Sequence, residues 1–356
     1  MNMTHIDVPN SPGYFISRWR EKGPVELEQL IQWKEEMNLE SWLMIAEAAL
    51  FLDAAELLFI ITQQLSPAEE ATFSLVRRRM LGDMNMEQAI NEAIIITKNS
   101  ETRDLKLEGR LRMERGLSRF QANDVEGAEE DLTWAEVRLK SVAKASRDHD
   151  LSLLNKAAFH MAVGAPLMAL TVYSEITREG EHAHETIAIS RLGASRIRAS
   201  IGHLFDAVRH AWNAHDHAIK AHQVNMAIEA GTLFIELSLE HISNDAERMH
   251  KQVKAAKPRS GTEQQPQLNV NIEDIYDVFD WCFSKLPESN SGEQRPDLRA
   301  IVSIAMKIDR LELFEELISN PDSVEDPMLV AIIQPCVNDE ELKKMWNERL
   351  TVLTLI

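Results

Sequence analysis

Small and turn-forming residues interrupt an otherwise helical sequence at roughly forty-residue intervals, and this period restricts the chain to folds built from repeated helix pairs. The stretch GLSRFQANDVEGAEEDLTWA (116–135) shows the unit. Gly116 sits mid-helix and Phe120 closes that helix. Asn123-Asp124 makes a tight break, and Gly127-Ala128 opens a second helix running past Leu132 and Ala135. AAFHMAVGAPLMALTVYSEI (157–176) and SRIRASIGHLFDAVRHAWNA (195–214) are counterparts, and FIELSLEHISNDAERMHKQV (234–253) is a weaker one. An alanine follows each break: Ala128, Ala169, Ala207 and Ala246, with Ala55 and Ala89 in the same place upstream. Small residues where two helices cross let their ridges meet at short distance. A single pair cannot bury its apolar face alone, so pairs stack.

The set Gly116, Asn123-Asp124, Ala128, Leu132 and Ala135, followed by Gly164, Ala169 and Tyr173, resembles the tetratricopeptide (TPR) repeat over about residues 36–256. Where that family carries bulky aromatics, this chain has Arg112 and Arg119 in one repeat and Arg191 and Arg198 in another. The resemblance implies an all-α fold, an α-solenoid of stacked antiparallel helix pairs. It also implies protein–protein binding without chemistry. The family's carboxylate clamp of Lys and Asn on the inner helices has no match here.

Four regions follow from composition. Residues 1–23 read as an irregular N-terminal segment and 24–256 as the repeat array, with Pro24 suited to a first helical turn. SPAE (66–69) offers a capping box, and NDEE (338–341) offers the same logic for the last helix. Residues 257–271 read as a linker or long loop, within the polar, proline-containing run KAAKPRSGTEQQPQLN (254–269). Residues 272–356 form a C-terminal helical cap, with segments near 272–286, 297–319 and 326–353 and a flexible loop at LPESNSGEQRPD (286–297). Apolar residues recur at three and four rather than two, and LNVNI (268–272) is a short possible strand.

A net charge of −19 disfavours nucleic acid as a direct partner, because phosphate contacts need Lys and Arg. Two cysteines, Cys282 and Cys336, with no CxxC, read as buried thiols in a reducing, cytoplasmic setting. The start of the chain lacks the basic and apolar regions of a signal peptide. The most apolar run, LMIAEAALFLDAAELLFII (43–61), holds Glu47, Asp53 and Glu56 and reads as two buried helices, so no membrane is expected. The glycine-rich phosphate loops, the nucleophile elbow and HExxH are missing from the sequence, and no cofactor is expected.

Three places are candidates for function. Five histidines fall within 203–222, and Asp206, His210 and His217 share a helical arc that would suit a metal-dependent hydrolase. Arg112, Arg115 and Arg119 line one helix and Arg191 and Arg198 another, either to grip a partner's acidic groups or to pair with local carboxylates such as Glu108 and the acidic helix 124–136. Helix 151–163 is apolar nearly all round, leaving Leu151, Leu154, Ala158 and Met161 to be covered, with Met113, Leu117 and Phe120 aligned beside them. The favoured reading is a non-enzymatic scaffold that holds a peptide or helix of another protein in its groove. A regulator that takes a small molecule or peptide there is the alternative.

Overall fold

The computed structural model describes residues 74–75, 78, 86–99, 103–177, 181–239, 270–289 and 295–354. The irregular segment 1–23, the start at Pro24, the apolar run 43–61, the SPAE box, the linker residues 257–269 and Ala246 lie outside them. Among the described residues the fold is all-α, with an isolated bridge at Val270 and no strand.

Among the described residues, eight helices run from Met86 to Ser238: α1 Met86–Asn99, α2 Leu105–Gln121, α3 Val125–Val142, α4 Arg147–Ala162, α5 Pro166–Glu175, α6 His184–Ser200, α7 Leu204–Lys220 and α8 Val224–Ser238. Short polar side chains set several of their starts. Asp104 accepts from the amides of Lys106 and Leu107 before α2, Asp124 from that of Gly127 before α3, and Ser146 from that of His149 before α4. The second helix of the unit 116–135 therefore begins at Val125, two residues earlier than Gly127, because the Asp124 carboxylate satisfies an amide that would otherwise be orphaned. Pro166 opens α5, where its missing N–H costs nothing.

The breaks between paired helices share one backbone solution. Asn123, Gly164 and Gly202 adopt φ of 65°, 75° and 77°. The next amide in each case bonds back across the turn: Asp124 to the Arg119 carbonyl at 2.9 Å, Ala165 to His160 at 2.8 Å, and His203 to Arg198 at 2.9 Å. This is the left-handed closure that satisfies the last carbonyls of a helix. The forty-residue period in the sequence is thus the period of a turn.

The chain divides into two units, Met1–Ile197 with Lys220–Gln223, and Arg198–Ile219 with Val224–Ile356. In the first, α2 packs against α1, α3 and α4. A Cβ on Gly116 would stand 3.0 Å from Leu132 Cγ and 3.2 Å from the Ala128 carbonyl oxygen, so the α2–α3 crossing needs hydrogen there. A Cβ on Gly193 of α6 would fall 2.7 Å from the Tyr173 ring of α5. Leu153, Ala157, Ala169, Val172, Ile176 and Ile187 complete the core around that contact.

The second unit adds α9 Ile272–Lys285, α10 Pro296–Lys307, α11 Glu315–Ser319, α12 Pro327–Ile333 and α13 Glu340–Thr354, with single 3₁₀ turns at Leu286–Glu288, Leu311–Phe314, Pro321–Ser323 and Gln334–Cys336. Asn271 and Asp274 form a reciprocal capping box at the start of α9. The expected segment 297–319 is broken at Asp309, which takes φ 57°, and 326–353 is broken at the turn containing Pro335. At the last helix Asp339, not Asn338, accepts the Leu342 amide, one residue later than the sequence logic places the cap. Trp346 is fully buried and its Nε1–H donates to the Ile318 carbonyl at 3.0 Å. His215 is buried too, its Nδ1 2.8 Å from the Ala227 carbonyl oxygen and its ring edge-on to Trp281. Gly231 packs against His215 and Cys282, and burial pushes the Cys282 thiol up. Cys336 is half-buried rather than buried.

Candidate functional site

The arginines of α2 turn inward to carboxylates of their own unit. Arg115 makes a two-pronged bond to fully buried Asp131, at 2.7 Å through Nε and 2.6 Å through Nη2, and also reaches Asn91. Arg119 holds Asp131 at 3.0 Å and Glu87 at 2.9 Å. Arg112 lies 3.2 Å from Glu108 and 3.5 Å from Asp131, and its guanidinium sits 4.1 Å from the centre of the Trp134 ring. Arg103 also bonds Glu108. Three guanidiniums from successive turns thus converge on one carboxylate. Arg115 and Arg119 donate charged hydrogen bonds to Asp131 while Arg112 adds a looser ion-pair contact, and together they compensate an anion held in the core. Local pairing, the second of the two sequence readings, describes this row. In the other row Arg191 donates to the Ile176 carbonyl at 2.6 Å, and Arg198 lies 3.2 Å from His203 Nδ1.

The apolar candidates separate. Met113 is fully buried in a cluster with Ala128, Leu132, Ala135 and Phe159, so it lines no open strip. Leu117 and Phe120 pack on that cluster, with the Phe120 and Phe159 rings 5.4 Å apart and edge to face. Leu154 packs half-buried on the neighbouring core. From there the strip opens: Ala158 is exposed, and Met161 is 44% exposed.

Met161 opens onto an apolar corner. The sequence through the α4–α5 turn is MAVGAPLM (161–168), with no polar side chain. Val163, Leu167 and Met168 are 39%, 61% and 53% exposed. The left-handed Gly164 and the rigid Pro166 fix the corner, so these side chains project from a closed turn. Exposed turns are ordinarily polar, and a run of this length without a polar residue is costly in water unless something covers it. Sequence reasoning found Met161 but missed Val163, Leu167 and Met168, although an apolar run across a Gly-Ala-Pro break is itself a readable signal.

The histidine arc of α7 does not assemble. Asp206 is paired with Arg209 at 2.9 Å, His217 is buried, and no group of three ligand atoms forms there among the described residues. The reason is pitch. His210 and His217 are two turns apart, about 10 Å along the axis at 1.5 Å per residue, too far for both to reach one ion. Also among the described residues, no helix is long and apolar enough to cross a membrane.

No family model and no curated protein matches the chain. Among solved structures it is similar to a Rap protein complexed with competence and sporulation factor, at 14% identity and a TM-score of 0.44, over 96% of this chain and 95% of that one. A likeness at that level supports no argument, and the helix pairs described above stand on their own.

Proposed function

We propose that the chain is a non-enzymatic interaction module of TPR-like helix pairs, and that it holds an apolar peptide or helix of a partner protein against the α4–α5 corner. The observation that carries this reading is the exposed run Met161, Val163, Leu167 and Met168 on a rigid turn. These side chains are about half exposed already, so covering each contributes about half of the ~1.5–3 kcal/mol that full burial of a wholly exposed one would give. Two methionines suit a surface that adapts to its ligand, since the thioether chain is unbranched and polarizable. Met161 and, behind it, Leu154 are the members of the sequence-derived set that serve this face. Arg112, Arg119, Arg191 and Arg198 shape the scaffold from within, and Met113, Leu117 and Phe120 hold its helices together.

The experiment is site-specific photocrosslinking from Leu167, with a second probe at exposed Val352 as control. One partner crosslinked from Leu167, absent from Val352 and lost on Met161→Glu with Met168→Glu, is the expected result. Both substitutions fall on exposed side chains and should leave the helical content unchanged. A crosslink from Leu167 to the chain itself would show the corner covered from within, and equal crosslinking from both probes would show no recognition at all. Either outcome ends the reading.

A further inference from the structure

Outside that corner, three side chains able to bind metal meet in the interior of the first unit. His149 is the third residue of α4, Asp150 follows it, and His182 lies in the segment leading into α6. Each offers one ligand atom, and the three atoms lie within 4.8 Å of one another. His149 and Asp150 are each 3% exposed, and the His182 side chain is 6% exposed.

The hydrogen bonding leaves this cluster incomplete. His182 Nδ1 and Asp150 Oδ1 are 2.6 Å apart and share one proton, while Asp150 Oδ2 accepts the Ala183 amide at 3.3 Å. His149 Nδ1 accepts the amide of Ala145, whose left-handed backbone aims it there. The other ring nitrogen, Nε2, is buried with no hydrogen-bond partner. Buried polar atoms are almost always satisfied, and one that is not asks for an ion or a water. The two ring centroids lie 6.0 Å apart with the planes at 29°, and the His182 ring makes no hydrogen bond to His149 Nε2. The charges of α3 that reach His149 are already paired, Glu136 with Lys156 and Lys140 with Glu175.

We infer that His149, Asp150 and His182 form a binding site for a divalent transition-metal ion of the zinc class, which pins the start of α4 to the segment entering α6. Two imidazoles and one carboxylate are the donor set of such ions, whereas Ca²⁺ and Mg²⁺ take oxygen ligands. Ligand atoms around a tetrahedral ion stand about 3.3 Å apart, so side-chain movements of about 1 Å convert this cluster into a coordination sphere. The ion takes the place of the proton that His182 and Asp150 share. Because His149 Nδ1 accepts the Ala145 amide, Nε2 carries the ring proton; binding moves that proton to Nδ1, which releases the Ala145 amide, and frees the Nε2 lone pair for the ion. Near-complete burial makes the role structural, a rivet between successive helix pairs.

The test uses the full chain without a histidine tag, freed of metal by a chelator and titrated with Co²⁺ and then Zn²⁺. The expected result is one tightly bound Co²⁺ per chain with the intense visible absorption of tetrahedral coordination, displaced by Zn²⁺. Asp150→Asn and His182→Gln should each weaken binding at least tenfold, while His210→Gln in α7 leaves it unchanged. The stoichiometry and spectrum of the parent chain stand even where a variant loses helical content. Weak binding spread over many sites, a Co²⁺ spectrum without tetrahedral intensity, or parent-like affinity in folded Asp150→Asn and His182→Gln overturns the inference.

Discussion

Gly193 is the position where a single methyl group matters most. Two ring carbons and the hydroxyl oxygen of Tyr173 stand 2.7 Å from where its Cβ would be, and the ring is held by the core of the first unit. Gly193→Ala should therefore lower stability by about 1–3 kcal/mol, the usual cost of overpacking, despite alanine's better helix propensity. Urea unfolding followed by circular dichroism measures it, and a stabilised variant would show that the ring moves aside freely. Tyr173 was legible in the sequence as a repeat position, whereas its partner Gly193 was not. The reason is distance along the chain: a tyrosine reads as core anywhere, but only the folded pair shows which glycine makes room for it. His149 and His182 were hidden for the same reason, lying in different elements with no fixed ligand spacing, whereas the stretch 203–222 puts three of its five histidines on one helix.

At the scale of elements, the helix pairs and their turns were legible because local chemistry fixes them. Asn123, Gly164 and Gly202 are residues that tolerate left-handed backbone, and they punctuate the sequence where they punctuate the structure. The breaks at Asp309 and near Pro335 were not read, since apolar periodicity continues across them. What no periodicity discloses is the use of charge inside the α2–α3 pair. The sequence offers pairing with the acidic helix 124–136 as one reading of these arginines, but only the fold shows that Asp131 is the shared, buried partner. Asp131→Ala would leave Arg112, Arg115 and Arg119 facing each other without their shared carboxylate. Breaking a buried ion cluster by removing one partner costs about 3–5 kcal/mol. Thermal unfolding of the variant against Asp124→Ala, a half-exposed cap worth about 1 kcal/mol, should rank Asp131 well ahead. Equal losses would mean that the cluster is no more than a solvated set of pairs.

For the molecule as a whole, acid stability depends on histidines buried in neutral form. Burial lowers the pKa of His215, partly offset by its bond to the Ala227 carbonyl, and burial beside Lys156 lowers that of His160. Both groups take up protons more readily when the chain is unfolded. Their contribution is therefore complete above the ordinary histidine pKa of about 6.5 and falls away as the pH drops from there through the depressed folded values. Stability measured by urea unfolding should decline between about pH 7 and pH 5. His215→Asn, which keeps a donor for Ala227, should flatten that decline even where it costs stability at neutral pH. An unchanged slope would place the sensitivity elsewhere.

The convergence of three guanidiniums on Asp131 also bears on how an array of similar helix pairs avoids assembling wrongly. Apolar faces built from Leu and Ala match one another approximately, and a helix displaced by a turn would still find grease. Because Arg112, Arg115 and Arg119 lie on successive turns, a slip of one turn would keep some of them near Asp131, but pairing α2 with a helix that has no carboxylate at that depth would leave three guanidiniums without their anion. The cluster thus acts as an address: it makes pairings of α2 with the wrong helix expensive and lets only the neighbour bearing the right carboxylate at the right depth be accepted.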